Sequence, residues 1–445
     1  MVRFLRADIF DMYRKFKKDP SYRELLLTSL RSLWVRGIGV TTGFLVTWLT
    51  ARYFSADALG VVSICLAILS LASVASKFGH DVALMRFIAA EGLPAKIKGV
   101  YLTSMKLVFP MSLLVAIVLF FAAPYMAEHL FHKNYLSFIL QLNAIMLLPL
   151  TLLQIHAECL RGVKRIGEYT FFQTSAVSSL AVAGLLVALA AELSGNSPVY
   201  IQFIAISVAA LLSSYRWLLV SGYFTVRAEY SVSLSALNRV AAPMFTTTIM
   251  QLLMSWTGTL VLAAYLPEAT VGIYNALVRI SVFTNITILA INGLMITRFV
   301  AAYHSGDHEL LRKQSHEATR LIFITALPLF IVLFSFPTTV LSIFGADFMQ
   351  YKNELFVLLA GQFIVVCAGL PGQLLNMTDR QHVLRNISIV AAVVNVICCL
   401  AFIPTYGMRG ACWAQLIGTL VWNLLCMYSV YRKMNIKTFI GFSSY

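Results

Sequence analysis

The chain has 445 residues, of which 59% are hydrophobic and 12% charged; soluble proteins of ordinary composition carry about 25% charged residues. That excludes a soluble globular enzyme and a disordered chain. The apolar residues come in runs rather than alternating, which also excludes an outer-membrane barrel. The net charge of +15 would point to nucleic acid in a soluble protein. In an all-α polytopic membrane protein it reads first as a cytoplasmic surplus of Lys and Arg, with no nucleic-acid partner.

In chain order, residues 1–31 form a basic N-terminal stretch with eight basic residues, no apolar core and no small-residue cleavage site. Phe4, Leu5, Ile9, Met12, Tyr13 and Phe16 are interleaved there with Arg6, Arg14, Lys15, Lys17 and Lys18. That pattern fits an amphipathic helix lying on anionic membrane lipids, or a basic tail that only fixes orientation. Twelve apolar segments then reach the ~20 residues needed to span a bilayer. They cover 32–54, 58–78, 100–123, 135–158, 168–191, 199–222, 240–265, 271–296, 320–343, 354–377, 384–403 and 408–431. Turn signals such as Gly195-Asn196-Ser197-Pro198 and Pro404-Thr405-Tyr406-Gly407 separate them.

Loop charges predict orientation. With the N-terminus in the cytoplasm, 25 of the 34 basic residues fall on the inner side and only Lys133, Lys352 and Arg409 in outer loops. Both termini are therefore expected in the cytoplasm of a multi-pass inner-membrane protein.

The chain also repeats itself. Residues 51–90 align without gaps on 263–302, an offset of 212, and Gly60, Arg86 and Phe87 fall on Gly272, Arg298 and Phe299. Six segments separate the copies, so the repeat is parallel, with its axis along the membrane normal. The expected organisation is an N-lobe (32–222), a cytoplasmic linker (223–239), a C-lobe (240–431) and a cytoplasmic tail (432–445), with a cleft between the lobes.

No loop is long enough to carry chemistry. The seven cysteines show no ligand spacing, and neither a metal site nor a cofactor motif is present in the sequence. His304, His308 and His316 share a polar connector with Asp307, Glu309 and Glu317, which reads as a solvated loop helix. Transport is expected rather than catalysis.

Six basic residues lie in or beside the segments: Arg36, Arg52, Lys77, Lys106, Arg216 and Arg279. Arg52 and Lys77 stand near helix ends, from which long side chains reach the interface, and Lys106 could do the same. Arg216 and Arg279 lie about two turns inside their segments, roughly 10 Å deep at 1.5 Å per residue. Charges at such depth usually face a cavity or a partner. Small and polar residues accompany them, including Gly43 on segment 1, Gln251 on segment 7, Asn285 and Asn292 on segment 8, and Gln362 and Gln373 on segment 10. Such residues also serve interhelical packing, so both readings stand for them. The acids Asp81 and Glu158 lie at inner helix ends and read as interfacial charge pairs. No carboxylate lies mid-membrane, so the lumen suits an anion carrying hydroxyls better than an organic cation.

Several short motifs carry a resemblance. Ala51-Arg52-Tyr53-Phe54 followed by Leu59-Gly60, Phe78-Gly79 leading to Arg86-Phe87, and Val271-Gly272-Ile273-Tyr274-Asn275 with Arg279 are three of them. Arg161-Gly162 with Tyr169 and Tyr406-Gly407 with Gly410-Ala411 are two more. Over residues 28–431 the chain resembles the polysaccharide (O-antigen) flippases of the multidrug/oligosaccharidyl-lipid/polysaccharide superfamily. The resemblance implies two six-helix lobes in a V. It also implies export of an undecaprenyl-pyrophosphate-linked oligosaccharide, and polysaccharide polymerase machinery as a partner. Arg36, Arg216 and Arg279 would then counter the pyrophosphate, with Gln251, Asn285 and Gln373 as sugar contacts. Two rivals are a cation or drug antiporter of the same fold, which would need a carboxylate in the cavity, and a membrane-embedded enzyme of glycan assembly. The basic N-terminus departs from the family pattern.

Overall fold

The computed structural model describes residues 20–440 except 194, 231 and 379; side chains are described from Trp34 on, apart from positions 290, 293, 294, 296 and 297. The expected amphipathic helix over 2–18 lies outside the described residues. Helices run as α1 (Pro20–Leu49), α2 (Ala56–Lys77), α3 (His80–Ala90), α4 (Pro94–Tyr125), α5 (Leu136–Ile145) and α6 (Leu147–Gly162). Then come α7 (Ile166–Thr170), α8 (Ala176–Ala190), α9 (Ser197–Val220), α10 (Leu234–Tyr265), α11 (Glu268–Phe283) and α12 (Ile286–His304). The chain continues with α13 (His308–Ser335), α14 (Pro337–Ser342), α15 (Lys352–Ala368), α16 (Pro371–Met377), α17 (Gln381–Tyr406) and α18 (Met408–Met434). Among the described residues there is no strand, and ten helical stretches are long and apolar enough to cross a membrane. This is the solution a bilayer demands, since each helix satisfies its own backbone groups.

Those ten stretches coincide with ten of the twelve expected segments. The first expected segment, 32–54, lies along α1 and a π-turn over Thr50–Phe54. The expected helix 271–296 is not continuous. It breaks at Thr284 and Asn285, whose amides donate to Ser281 O and Val282 O, three residues back instead of four. The Thr284 hydroxyl also donates to Ser281 O at 2.7 Å, competing with the regular ladder. The expected helix 354–377 breaks at Gly369 and Leu370, because Pro371 has no N–H to continue it.

Two further junctions position the interior. Phe78 (φ 47°) and Gly79 (φ 77°) turn the chain from α2 into α3. A Cβ at Gly79 would overlap the carbonyl of Ala241, and the Phe78 ring stacks on Phe245 at 4.7 Å. The second junction is where α2 crosses α11. A Cβ at Gly60 would strike the carbonyl of Glu268, and one at Gly272 would strike the carbonyl of Ala56. Ala56 and Glu268 are related by the same repeat offset as Gly60 and Gly272. The two contacts are thus made by two pairs of residues, each pair 212 positions apart in the chain. Small residues let the two backbones meet.

Residues 223–230 lie along the start of α4. Glu229 N donates to Ala95 O at 3.0 Å, and Lys98 Nζ donates to Tyr223 O and Val226 O. The Lys106 ammonium sits 4.8 Å above the Tyr230 ring. The interior is apolar and continuous through both halves of the chain, with large side chains such as Trp217, Tyr274, Phe299 and Phe344 fully buried.

Candidate functional site

The basic residues within the helices fall into two groups. Lys77 Nζ donates to Asp81 at 2.8 Å, one turn on. Lys106 meets Tyr230 as described. Arg216 forms a two-pronged pair with Glu168, Nε to Oε2 at 3.0 Å and Nη2 to Oε1 at 2.9 Å. Arg165 shares that carboxylate at 2.8 Å. The Arg216 side chain is 42% exposed and lies outside the cavity described next. Arg52 is exposed on the π-turn after α1.

Arg36 and Arg279 differ from all of these. Both line one cavity of about 680 Å³, and among the described residues neither has a carboxylate or hydrogen-bonding partner. Three helical stretches make its walls. From α1 come Arg36, Gly39, Val40 and Phe44, spaced as one face of a helix. From α7 and the π-turn after it come Tyr169, Thr170 and Thr174. From α11 and α12 come Arg279, Val282, Phe283, Ile286 and Leu289, again one face, with Asn285, Ile288 and Asn292 beside them. Tyr274, Ala276, Leu277 and Ile280 on the other side of α11 are buried in the core. Arg279 is thereby turned toward the cavity.

The Arg279 guanidinium lies against Gly43, where a Cβ would overlap its Nη2. Amides line the wall beyond it. Asn285 Nδ2 donates to Gln362 Oε1 at 2.7 Å, which fixes the Asn285 side chain. Among the described residues the Oδ1 atoms of Asn285 and Asn292 have no partner. Two guanidinium groups with no acid among the described lining residues give the cavity a positive potential. Arginine offers planar paired donors that match phosphate oxygens.

Phe44 closes one end of the cavity, packing edge-on to Phe344 at 5.5 Å and tilted on Phe283 at 5.6 Å. Beyond it Trp48 Nε1 donates to Ile343 O at 3.0 Å. At the same end Lys133 Nζ donates to Leu266 O at 2.8 Å and Ala263 O at 3.2 Å, and stands 3.5 Å from Glu268. The Tyr135 hydroxyl also donates to Glu268. These contacts join the first half of the chain to the second. At the opposite end His80, fully buried, bridges Ser104 and Asn238, each at 2.8 Å.

Of the residues expected to hold substrate, the structure brings Arg36, Arg279 and Asn285 to this cavity. Arg216 is held by Glu168. Gln251 is exposed on α10 and Gln373 half-buried on α16; neither lines the cavity. Sequence reasoning missed Phe44, Tyr169, Thr170 and Thr174. The helical spacing of Arg36, Val40 and Phe44 on α1 was the available signal for the first. The expected interfacial acids are placed: Asp81 with Lys77, and Glu158 3.4 Å from Arg161.

The family model described as polysaccharide biosynthesis protein matches residues 32–295. Among curated proteins none matches by sequence. Among solved structures the chain is similar to a lipid II flippase, MurJ, in an inward closed conformation. The TM-score is 0.72 at 14% identity, over 91% of this chain and 87% of that one. It is equally similar to an inward-facing multidrug resistance MATE family transporter of the MOP superfamily, with a TM-score of 0.72 at 15% identity, over 92% and 98%. An outward-facing transporter of that family scores 0.59 at 16% identity, over 92% and 95%. At these identities the likeness is one of fold.

Proposed function

Because this chain belongs to the polysaccharide biosynthesis protein family, we propose that it is a flippase for a polyprenyl-pyrophosphate-linked oligosaccharide. The pair of partnerless guanidinium groups in one membrane-embedded cavity carries this reading. Arg36 and Arg279 hold the pyrophosphate, and the Asn285–Gln362 wall faces the glycan. The polyprenyl tail stays in lipid. Arg216, committed to Glu168, serves helix packing. Gln251 and Gln373 have no contact that supports a substrate role. A cation antiporter is not favoured, because no carboxylate among the described residues lines the cavity to take a cation.

In this reading the chain forms two six-helix lobes, with both termini in the cytoplasm of an inner membrane. The reciprocal crossing at Gly60 and Gly272 supports the repeat. The end closed by Phe44, Trp48, Lys133 and Glu268 is then the outer end. Transport proceeds by rocking the lobes so that this end opens while the inner end closes. Lys133 caps carbonyls at the end of α10, and Glu268 stands in the first turn of α11. Both charges therefore complement helix ends as well as each other. These contacts must part before the headgroup leaves outward.

The reading is tested in cells whose surface glycan depends on this chain. The variants R36A and R279A should each lower surface glycan at normal protein level, and the double variant should abolish it. Surface glycan that survives the double variant contradicts the proposal.

A further inference from the structure

The break between α15 and α16 leaves a carbonyl that the helix cannot satisfy. In a regular helix residue 371 would donate its N–H to the carbonyl of Cys367, four residues back. That residue is Pro371, which has no N–H. A carbonyl left unpaired in an apolar interior is costly, so another donor is expected. The structure supplies one from the far end of the chain, beyond α18: Ile440 N donates to Cys367 O at 3.0 Å.

The rest of that segment is docked as well. After α18 the chain turns out of the helix at Asn435 (φ 54°) and continues without regular structure to residue 440. Ile436 and Thr438 are buried at 1% and 2% exposure, while Lys437 and Phe439 are exposed. This is the two-residue alternation of a strand lying on a surface. Thr319 on α13 donates its hydroxyl to Thr438 O at 3.0 Å. The same Thr319 occupies the place where Gly369 would carry a Cβ, and Gly369 itself is at φ 75°. Break, glycine and the segment after α18 therefore fit one another as a unit.

We propose that residues 435–440 are a detachable strap. Docked, the strap completes the broken helix and fixes its bend. Released, it frees α15 to move. Because α15 carries Gln362, the partner of Asn285, the bend is coupled to the cavity wall. The strap acts in the same way whichever substrate the cavity takes.

The test uses the full chain in detergent, with two readouts. One is hydrogen–deuterium exchange of the peptide spanning residues 364–372. The other is maleimide labelling of a cysteine placed at Thr174 on the cavity wall, located by peptide mass. The variant I440P removes the N–H while leaving the buried anchors Ile436 and Thr438 in place, I436D expels the buried anchor, and F439A alters only an exposed side chain. Both I440P and I436D should raise exchange about tenfold and change labelling about threefold, whereas F439A should do neither. Unchanged exchange in I440P shows that the strap does not hold the break. Raised exchange with unchanged labelling reduces it to a passive cap. Either result overturns the proposal. If I436D does not fold, I440P, which keeps the buried anchor, carries the test.

Discussion

The guanidinium of Arg279 lies against the bare Cα of Gly43, so the cavity's deepest charge is placed by an absent side chain on α1, in the other half of the chain. The atom in the way of a Cβ is the tip of a flexible side chain, not backbone. The variant G43A should therefore fold, with stability within about 1 kcal/mol of the wild type. It should nonetheless displace Arg279 and lower glycan export about tenfold. Gly37 has nothing within 4 Å of its Cβ position and supplies the control. G37A should leave export unchanged. Equal effects of the two substitutions in a surface-glycan assay would show that Arg279 need not sit where it does.

Arg216 and Arg279 look alike in sequence, but only the first is neutralised. Its partner Glu168 holds it by two hydrogen bonds near the surface. The variant R216A should change export by no more than about twofold, as for an exposed pair. R279A should lower it about tenfold, and E168Q should behave like R216A. Quantitative glycan labelling at matched protein level distinguishes these outcomes.

That contrast marks how far the sequence reaches. That the chain is helical and crosses a membrane many times was legible, because composition and periodicity are local. The depth of Arg36 and Arg279 is local too. What neutralises a charge is not. Glu168 stands on α7 and Arg216 on α9, with α8 between them in the chain, and no spacing rule links the two. The helix breaks at Asn285 and at Gly369–Pro371 were hidden for a similar reason. Their flanks are apolar enough to read as single spans, and the groups that stabilise the breaks, Gln362 and Ile440, come from elsewhere in the fold.

The reciprocal crossing of α2 and α11 makes a prediction of symmetry. Gly60 faces Glu268 and Gly272 faces Ala56, both through backbone that cannot move aside cheaply. G60L and G272L should each destabilise by about 1–3 kcal/mol, as overpacking does, and by similar amounts. Thermal unfolding in detergent measures both. A large loss for one and none for the other would contradict the repeat proposed for the chain.

At the opposite end His80 joins α3 to Ser104 and Asn238. Burial pushes its pKa below the ordinary 6.5, against the opposing effects of the Asn238 hydrogen bond and Asp81. The folded state thus holds the neutral ring. Its contribution is complete above pH 6.5 and is lost as pH falls through that value toward the lowered one. Protection of α3 from hydrogen exchange, corrected for the intrinsic pH dependence of the exchange rate, should fall between pH 7 and pH 5 in the wild type, and H80Q should flatten that dependence. A pH response that persists in H80Q would assign it to another group.

The central claim is that Arg36 and Arg279 bind the diphosphate of a lipid-linked oligosaccharide during its transfer between leaflets. The most direct measurement is translocation of a fluorescent polyprenyl-diphosphate oligosaccharide by purified protein in liposomes, scored by protection from an external reagent. The wild type should transfer it, R36A/R279A should not, and inorganic pyrophosphate should compete. Undiminished transfer by R36A/R279A, in liposomes holding the same amount of folded protein, would contradict the claim.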